Sequence, residues 1–486
     1  MWYLLCGICN IFYEKYKCLY SSVPYDGEKM CHLQTDIESN VDLHCQSGNC
    51  YNKHSINVED VYDAVKKLKD NKGDGLHQSF SNNIINAPHI SYVYLALLFN
   101  GMLVHGVIPD EMLLGTIIPI VKNKRKSTGD SSNFRAITLS SILGKMFDNI
   151  ILTQNSSILS SSDYQFGFKP KHSTVNCSFV LKEIAQYYNN KGSNVYCLLL
   201  DASQAFDRVH YIKLFKLLIA KGMCFLTARY LLSSYIEQQL RVKWEDIVSA
   251  EFSVKNGVKQ GGVLSPILFA VYIDELLMRL KLAGYGCYIG NMFCGALAYA
   301  DDVTILGPSL MSLNLLLDVV NKFGDEYHVL FNASKTKLIK FGNFCETNDK
   351  EYVILNSTYV QCESKTCHLG TIIGQNIEME NIEKSVHEFI GNINRLKAHF
   401  GKSRNIIKYR LLKAYCMPLY GCTLWDLSKK CVNRFYVTWR KSMRHLLNLP
   451  YNTHSHLLPY IVDDKPVELQ IHLPFLEICN KVQMFY

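Results

Sequence analysis

The chain has 486 residues, of which 48% are apolar and only 19% are charged. This balance provides for a sizeable folded core and excludes wholesale disorder, and the length allows about two to four domains. The formal net charge of +8 permits an anionic partner without requiring one.

The 18 cysteines are scattered rather than placed at the regular spacings of a disulfide framework. No basic segment or cleavage site of a secretory signal precedes them, so we expect reduced thiols in an intracellular protein. The longest apolar run, Leu264 to Ile273, contains a proline and is too short to span a membrane. The segments Cys6-x2-Cys9 and His44-Cys45-x4-Cys50-x3-His54 leave a zinc site open, although their spacing fits no common zinc finger.

The first elements of the chain differ in how clearly they are patterned. Residues 1–54 show no clear periodicity, whereas a helical pattern begins near Asn57 and runs to Leu68. The glycines of the segment 71–75 predict a turn that ends this helix. Apolar spacing then predicts a second helix over Ile90 to Gly106.

Short apolar runs predict the strands that follow. Gly115 to Val121 and Phe134 to Leu139 are two such runs, separated by a basic loop, and Ser141 to Leu152 has helical spacing. Helices then alternate with short strands until about residue 374. From Met379 to Tyr420 the pattern is helical, with closely spaced basic residues.

Two adjacent carboxylates, Asp301 and Asp302, lie between two short apolar runs. Two β-type runs around a tight polar turn predict a hairpin with the acids at its tip. Carboxylates this close repel each other and raise each other's pKa unless a cation neutralises them, and Mg²⁺, which takes oxygen ligands, is the usual cation. An acidic turn in solvent is the alternative interpretation.

A third carboxylate, Asp201, follows the continuous apolar run Val195 to Leu200, which is typical of a buried central strand. Active sites are commonly built where such strands end. A third acid near the pair would complete a cage for two divalent ions about 3.5–4 Å apart, which align an attacking oxygen and a leaving pyrophosphate. The alternative for Asp201 is a helix N-cap.

A glycine-rich loop lies between these acids in the sequence. Gly261 and Gly262 would let the backbone approach a ligand closely. Ser265-Pro266 predicts the start of an apolar helix, with serine as its cap and proline in its first turn. An ordinary junction between a loop and a helix is the alternative.

In order and content, these segments resemble the reverse transcriptase domain of non-LTR (LINE-type) retrotransposons. The resemblance runs from about Val61 to Pro450. The motifs that carry it are, in order, Ile118-Pro119-Ile120 with Lys122, Asn133-Phe134-Arg135-Ala136-Ile137, Gln165-Phe166-Gly167-Phe168, Asp201 to Val209, Gly257 to Phe269, Tyr299 to Asp302, Ser334-Lys335-Thr336-Lys337, and His368-Leu369-Gly370.

The resemblance implies an α+β fold of the right-hand polymerase type, with fingers, a palm built on an antiparallel sheet, and a helical thumb. It implies the following division of the chain: an N-terminal segment of uncertain structure over 1–54, fingers with part of the palm over 55–194, the palm over 195–375 within a reverse transcriptase domain of about 100–375, a helical thumb or connection over 376–450, and a C-terminal tail over 451–486.

The activity implied is that of an RNA-directed DNA polymerase, in which a primer 3′-hydroxyl attacks the α-phosphate of a dNTP on an RNA template. Asp201, Asp301 and Asp302 match the family's ligands for two Mg²⁺ ions, for which Mn²⁺ is a substitute. Lys335 matches a lysine that is a candidate acid for protonating the leaving pyrophosphate.

Seven further positions match residues that line the family's substrate site: Lys122, Arg135, Ala202, Phe206, Gln260, Gly261 and Tyr299. Phe206 falls where a bulky aromatic would clash with a 2′-hydroxyl, which selects deoxynucleotides; a core phenylalanine is the alternative. Lys122 and Arg135 match positions that meet phosphate, with a solvated basic loop as the alternative. The carbonyl of Ala202 would assist the metal site.

The later segments of the resemblance concern the nucleic acid. His368-Leu369-Gly370 resembles a primer-grip hairpin, and the basic helical stretch from Met379 to Tyr420 would be the thumb. Its basic residues would follow the backbone of an RNA–DNA duplex, and a solvated helix face is the alternative.

Some features depart from the family's pattern. Arg135-Ala136-Ile137 and Gly73-Asp74-Gly75 both lack a proline that relatives carry. No endonuclease domain precedes the polymerase and no zinc knuckle is visible before Tyr486, so we expect a copy truncated at both ends or a gene model of the polymerase part. An inactive remnant that binds nucleic acid, a maturase-like splicing cofactor and an RNA-templated RNA polymerase are the alternatives.

The manner in which such elements integrate suggests action in the nucleus, although no import signal is visible. We expect no membrane association, and the oligomeric state is open.

Overall fold

The computed structural model describes residues 2–45, 55–74, 80–342, 351–375, 377–417 and 419–483. None of the helices in these ranges is long and apolar enough to cross a membrane. The helices are α1 (Trp2–Leu19), α2 (Gly27–Cys45), α3 (Val58–Lys66), α4 (Ser81–Ile85), α5 (His89–His105), α6 (Asp110–Leu113), α7 (Ile142–Gln154), α8 (Thr174–Asn190), α9 (Tyr211–Ala220), α10 (Phe225–Ile236), α11 (Ser265–Leu282), α12 (Leu310–Tyr327), α13 (Glu378–Phe400), α14 (Asn405–Tyr415), α15 (Val432–Leu447), α16 (Leu457–Val462) and α17 (Val467–Gln483).

The strands are β1 (Leu114–Val121), β2 (Phe134–Leu139), β3 (Val195–Ser203), β4 (Gln239–Trp244), β5 (Ile247–Val248), β6 (Phe252–Ser253), β7 (Tyr288–Ile289), β8 (Met292–Phe293), β9 (Ala296–Tyr299), β10 (Asp302–Gly307), β11 (Leu330–Phe331), β12 (Lys337–Phe341), β13 (Tyr352–Leu355), β14 (Thr358–Glu363), β15 (Lys365–His368) and β16 (Thr371–Gly374).

The chain folds into two compact units, and its path passes between them several times. The first unit comprises residues 1–168, 202–282 and 318–332, and the second comprises 169–201, 283–317 and 333–486. Two of the boundaries fall inside elements, one within β3 after Asp201 and one within α12.

The first unit is built around a sheet in which β1 lies between β2 and β4. β1 pairs antiparallel with β2 and parallel with β4, and β5 and β6 extend the β4 side. The two strands predicted from apolar runs are therefore confirmed as β1 and β2. Successive side chains of each strand point to opposite faces of the sheet.

Capping hydrogen bonds and a left-handed glycine set the ends of the helices predicted in this unit. Asn57 caps α3 in a reciprocal capping box with Asp60, and the side chain of Ser141 accepts the amide of Gly144 at the start of α7. Gly106 ends α5 in the left-handed conformation, with φ of +68°. Part of the predicted turn at 71–75 lies outside the described residues.

The N-terminal segment showed no clear periodicity in the sequence, but its described part, residues 2–45, contains two helices. One side of α1 is buried in the first unit, through Cys9, Phe12 and Tyr16, and Tyr20 directly after the helix is buried as well; each is no more than 3% exposed. The ring of Phe12 stacks on Trp244 at 5.1 Å and meets the ring of Phe134 edge-on at 5.0 Å. α1 therefore belongs to the core of the first unit.

The possible zinc ligands lie only partly within the residues that the structure describes. Cys6 and Cys9 lie on α1, where the thiol of Cys9 faces the carbonyl of Val242 at 3.6 Å. Cys50 and His54 lie outside the described residues.

The second unit contains a mainly antiparallel sheet with the strand order β13-β14-β12-β3-β10-β9. β10 and β12 flank β3, both antiparallel to it, and β12 pairs with β14 in parallel. Residues 195–200 of β3 are all 8% exposed or less, which confirms the predicted buried central strand. The predicted α+β class and the antiparallel sheet of the palm are thus confirmed.

The helices from α13 to α17 share one apolar core in the second unit. Its members come from both the predicted thumb and the predicted tail, and include Phe389, Leu412, Phe435, Trp439, Leu458 and Ile471. The stretch predicted as helical from Met379 to Tyr420 is divided at residues 401–404 into α13 and α14.

The basic residues of this stretch differ in exposure. Lys408 is only 2% exposed, and Lys413, although exposed, pairs with Asp464 at 2.7 Å. The other exposed basic residues are Lys384, Arg395, Lys402, Arg404 and Arg410, and their contact with a nucleic-acid backbone stays a prediction. The long aliphatic stem of a lysine allows this burial, which spacing alone does not reveal.

Candidate active site

The predicted hairpin around Asp301 and Asp302 is present in the second unit. β9 and β10 pair antiparallel, and Tyr299 lies opposite Asp302. The turn therefore contains only Ala300 and Asp301, and Ala300 adopts a φ of +59°. Asp301 occupies the tip, as predicted, while Asp302 is the first residue of β10.

The third predicted carboxylate lies beside this hairpin. In the antiparallel pair of β3 and β10, Asp201 is the direct partner of Asp302. Residues directly opposite in antiparallel strands have their Cα atoms about 4.5–5.5 Å apart. The backbone register alone therefore brings together the three acids that the sequence separates by a hundred positions.

The electrostatics of this carboxylate cluster (Asp201, Asp301 and Asp302) are those of like charges held close. Partial desolvation raises the pKa of Asp302 to about 6, and repulsion from Asp301 and then Asp201 adds to the shift. Burial, and next the charge of Asp302, raise the pKa of the neighbouring Cys177 thiol to about 12. Cys177 is therefore a neutral thiol rather than a nucleophile.

Lys335 supplies a positive charge to the same cluster. Its ammonium lies 3.3 Å from Oδ2 of Asp201, and both side chains are partly or largely exposed. The backbone amide of Asp201 donates to Oγ1 of Thr336 at 3.5 Å, which ties the end of β3 to the segment carrying Lys335. The predicted catalytic residues are thus gathered in one place.

The donor set fits a divalent cation by its chemistry. All three acids offer carboxylate oxygens, which hard cations such as Mg²⁺ prefer, and their mutual repulsion is relieved by a cation. Within the described ranges, however, no group of three or more His, Cys, Asp or Glu side chains is arranged so that it holds a metal ion as it stands. The assignment of Asp201, Asp301 and Asp302 as metal ligands stays a prediction.

The predicted phosphate-binding residues lie on one β-ribbon of the first unit. Arg135 on β2 is paired with Ile120 on β1, and the amide of Lys122 donates to the carbonyl of Asn133 at 2.7 Å. Both Lys122 and Arg135 are exposed. The ammonium of Lys122 also donates to the carbonyl of Ser132 at 3.0 Å.

The glycine-rich loop packs against the same ribbon. The amide of Thr138 on β2 donates to the carbonyl of Gln260 at 2.7 Å. Gly261 has a φ of +108°, and a Cβ atom there would lie 2.8 Å from the carbonyl oxygen of Thr138. The close approach of loop and strand therefore requires glycine at this position.

Phe206 is half-buried in the first unit. Its ring stacks on Phe269 at 4.5 Å and meets Phe168 edge-on at 6.1 Å. The carbonyl of Phe206 accepts the amide of Val258 at 2.7 Å, which links it to the loop carrying Gln260. Ala202 is buried and lies opposite Phe331 in the β3–β11 pair. A sugar-contacting edge of Phe206 stays a prediction.

Sequence reasoning assigned no role to Asp207, which follows Phe206 and contacts Gln260 in the structure. Its side chain is buried and accepts hydrogen bonds from Tyr20 Oη at 3.2 Å and from Gln260 Nε2 at 2.7 Å. The apolar residues Phe206 and Val209 close to Asp207 in the sequence were a signal of its burial. Nothing in the sequence linked it to Tyr20.

The predicted primer-grip segment is the turn of the β15–β16 hairpin, with φ of +44° at Leu369 and +80° at Gly370. Tyr420 donates its hydroxyl to the carbonyl of Leu369, and Thr174 Oγ1 lies 2.7 Å from the same hydroxyl. The ammonium of Lys384 donates to the carbonyl of Gly370 at 3.2 Å. Both carbonyls of this turn are therefore held by side chains from other elements of the second unit.

His368 begins the same turn and is buried. Its Nε2 lies 3.4 Å from Oγ1 of Thr304 on β10. Burial lowers the pKa of His368 to about 4, so the imidazole is neutral at physiological pH. It links the turn to the strand that carries Asp302.

Several known proteins are similar to this chain. Residues 121–373 match the family model described as reverse transcriptase (RNA-dependent DNA polymerase). The chain is 25% identical over 428 residues to the RNA-directed DNA polymerase from mobile element jockey of Drosophila funebris, covering 82% of the chain and 44% of that protein. It is 32% identical over 398 residues to the probable RNA-directed DNA polymerase from transposon X-element of Drosophila melanogaster, covering 76% of the chain and 41% of that protein.

Among solved structures, a telomerase from Candida albicans in complex with a fragment of telomeric RNA matches with a TM-score of 0.42 and 12% identity, over 73% of the chain and 65% of the telomerase. The chain spans less than half the length of the curated relatives named above. The family match covers more than half of the chain and includes the carboxylate cluster, Lys335 and the loop with Gln260. The resemblance predicted from the motifs is thereby confirmed, and the chain belongs to the reverse transcriptase (RNA-dependent DNA polymerase) family.

Proposed function

We propose that the chain is the RNA-directed DNA polymerase of a LINE-type retrotransposon, which extends a primer 3′-hydroxyl with dNTPs on an RNA template. The observation that carries this proposal is the direct pairing of Asp201 with Asp302, next to Asp301 at the hairpin tip. A cluster of acids at that place has little structural value, because it repels itself, whereas phosphoryl transfer depends on it.

The carboxylate cluster would hold two divalent cations, Mg²⁺ or its substitute Mn²⁺. When bound, such ions neutralise the phosphates and favour in-line displacement of pyrophosphate. Lys335, which pairs with Asp201, would donate a proton to the leaving group.

We expect the ribbon and loop of the first unit to contribute to nucleotide binding. The exposed cations Lys122 and Arg135 would bind phosphate, for which an arginine fork is well suited. Gly261 lets the loop approach the ribbon closely. The half-buried ring of Phe206 would limit the space at the 2′ position of the sugar.

The first test is primer extension on poly(rA)/oligo(dT) with dTTP and MgCl₂. We expect extension by the wild-type chain, its loss on chelation with EDTA and its recovery with Mg²⁺ or Mn²⁺. Asp301→Asn should reduce the rate about a hundredfold or more, because it removes a charge that the reaction requires. Asp318→Asn, an exposed acid on α12, is the matched control and should keep the wild-type rate.

An inactive wild-type chain, or an Asp301→Asn variant as fast as the control, would refute the polymerase assignment. RNA binding without dNTP incorporation would instead support an inactive remnant. The sugar selectivity has its own test, since Phe206→Val should increase incorporation of rUTP relative to dTTP. Unchanged selectivity in that variant would reject Phe206 as the sugar gate.

A further inference from the structure

Asp207 is a buried acid that the proposed chemistry does not use. It is 5% exposed and lies in the short helix Phe206–Arg208. Its oxygens accept hydrogen bonds from two side chains: Tyr20 Oη at 3.2 Å, and Gln260 Nε2, which lies 2.7 Å from each oxygen. Burying a carboxylate costs free energy unless the carboxylate is hydrogen-bonded, so its hydrogen-bond partners indicate what it does.

The partner that matters for function is Gln260. An ionised carboxylate only accepts hydrogen bonds, so the carboxamide of Gln260 must turn its amino group towards Asp207. The opposite orientation would place the carbonyl oxygen of the amide against a negative charge. Among the described residues, the hydrogen bonds of this side chain use Nε2 and leave Oε1 as an acceptor that faces away from Asp207.

The carboxylate is itself anchored from the N-terminal segment. Tyr20 is 1% exposed, and its carbonyl accepts the amide of Lys255 at 2.9 Å. The side-chain amide of Asn256 donates to the carbonyl of Asp207 at 2.7 Å and to that of Leu19 at 3.1 Å. The end of α1, Asp207 and the loop before Gln260 therefore form one hydrogen-bonded assembly.

Gly257 shows how closely the parts of this assembly approach each other. Its φ is +91°, and a Cβ atom there would lie 2.6 Å from the carbonyl oxygen of Asp207. Only glycine lets the loop come this near, and the loop reaches Gln260 three residues later. The distance between Asp207 and Gln260 is thus fixed by the backbone as well as by side chains.

We propose that Asp207 is a positioning residue for nucleotide binding, which fixes the carboxamide of Gln260 so that Oε1 is presented to the ligand. Tyr20 keeps the carboxylate in place. This inference rests on the proposed function. It has a consequence for recognition: an acceptor oxygen contacts an N–H or O–H group of the incoming nucleotide, not its phosphates.

The charge surroundings of Asp207 support this role. The ionisable groups facing it are Tyr16 from α1, Tyr20 directly after α1, and Lys122 from the β-ribbon. Burial raises the pKa of Asp207 to about 6, although the bonds from Tyr20 and Gln260 and the charge of Lys122 oppose the shift. Protonation below that pH would release the constraint on Gln260.

The test compares Asp207→Asn, Tyr20→Phe, Gln260→Ala and the double variant Asp207→Asn/Gln260→Ala in the full chain. Asparagine keeps the shape of Asp207 but accepts either orientation of the glutamine amide. We expect Asp207→Asn to raise the KM for dTTP about tenfold, with a smaller effect on kcat, as for one oriented hydrogen bond. Tyr20→Phe should shift KM in the same direction by less.

The double variant separates positioning from general damage. If Asp207 acts through Gln260, the double variant should be no worse than Gln260→Ala alone, because the two changes remove one interaction. Effects that multiply would overturn the inference. Asp274→Asn is the matched control, since Asp274 is also 5% exposed in the first unit but bonds to Ser162 instead, and it should leave KM unchanged.

Two further measurements complete the test. The KM of the wild type should rise relative to that of Asp207→Asn as the pH falls below about 6, and parallel pH profiles would count against the inference. The Kd for dTTP, measured on poly(rA) with a 3′-terminated primer, needs no turnover. Weaker dTTP binding by Asp207→Asn than by the wild type supports the inference, even if neither protein extends a primer. Equal binding by the two proteins, or no binding by either, overturns it. If the two proteins bind dTTP equally and also extend a primer normally, the inference fails while the polymerase assignment is kept.

Discussion

The ammonium of Lys335 lies 3.3 Å from a carboxylate oxygen of Asp201. A divalent cation bound by Asp201 would therefore compete with Lys335 for this carboxylate. The side chain of Lys335 is 62% exposed, so it is free to move aside when a cation enters.

Replacing Lys335 with glutamine should consequently strengthen Mg²⁺ binding while slowing the reaction. An exposed ion pair is worth up to about 1 kcal/mol, so the half-saturating Mg²⁺ concentration should fall about two- to fivefold. The kcat should fall as well if Lys335 donates the proton to pyrophosphate. Titrating MgCl₂ in primer extension, and in thermal unfolding without substrates, measures both effects.

Lys337→Gln is the control for that experiment, because Lys337 lies on β12 and pairs with Glu363 instead of Asp201. A Mg²⁺ requirement that is unchanged in Lys335→Gln, or that changes equally in both variants, would contradict the competition.

The burial of Phe12 makes the N-terminal helix part of the fold. Phe12→Ala should lower the free energy of unfolding by about 3–5 kcal/mol, because it removes a ring packed between Trp244 and Phe134. Ile11→Ala is the control, since the neighbouring Ile11 is 58% exposed and should cost little. Urea unfolding followed by circular dichroism compares them; equal stability of the two variants would mean that α1 does not pack as described.

Glu326 gives a stability that depends on pH. Its carboxylate accepts from Arg279 at 2.6 Å and from Lys213 at 2.7 Å, and these bonds lower its pKa from 4.5 to about 2. The unfolded chain therefore binds the proton first as the pH falls. The stabilisation is complete above about pH 4.5 and is lost as the pH drops towards about 2.

Glu326→Gln should accordingly be less stable than the wild type at pH 7, by about 1 kcal/mol once solvent screening of the exposed side chain is allowed for. The difference should narrow below pH 4.5. Urea titrations at pH 7, 5 and 4 follow this trend, with Asp325→Asn as a neighbouring control. A difference that is the same at each pH would exclude the ion pairs as its source.

Tyr420 holds the turn that resembles a primer grip, through the carbonyl of Leu369 and the hydroxyl of Thr174. Tyr420→Phe removes both contacts and should destabilise the chain by about 1 kcal/mol. If the turn positions the primer, the KM for poly(rA)/oligo(dT) should rise while that for dTTP stays constant. Tyr415→Phe is the control, as Tyr415 is 71% exposed; a change in both KM values would point to general damage.

The elements that the sequence revealed most clearly are continuous apolar runs bounded by turns. The strand predicted over Val195 to Leu200 is observed as Val195–Ser203, and the helix predicted over Ser141 to Leu152 is observed as Ile142–Gln154. Such runs are informative because burial on both faces of a strand, or on one face of a helix, leaves a direct mark on composition. The positions of Asp201 and Asp302 followed from them.

The N-terminal helices were missed for a different reason. Cys9, Phe12, Tyr16 and Tyr20 recur at helical spacing, but cysteine and tyrosine are weak markers of burial, and the exposed Ile11 obscures the period. The contact of Asp207 with Gln260 joins residues 53 positions apart. No local pattern reports such a contact, because it depends on how two loops meet in space.

The two-residue turn between Tyr299 and Asp302 constrains how the gene can change. Glycine at Ala300 would relieve the positive φ, whereas a larger side chain would have to fit a buried position. An inserted or deleted residue that shifted β10 by one position along β3 would turn Asp302 to the opposite face of the sheet, away from Asp201. The length of this turn therefore matters to the carboxylate cluster as well as the identity of its residues.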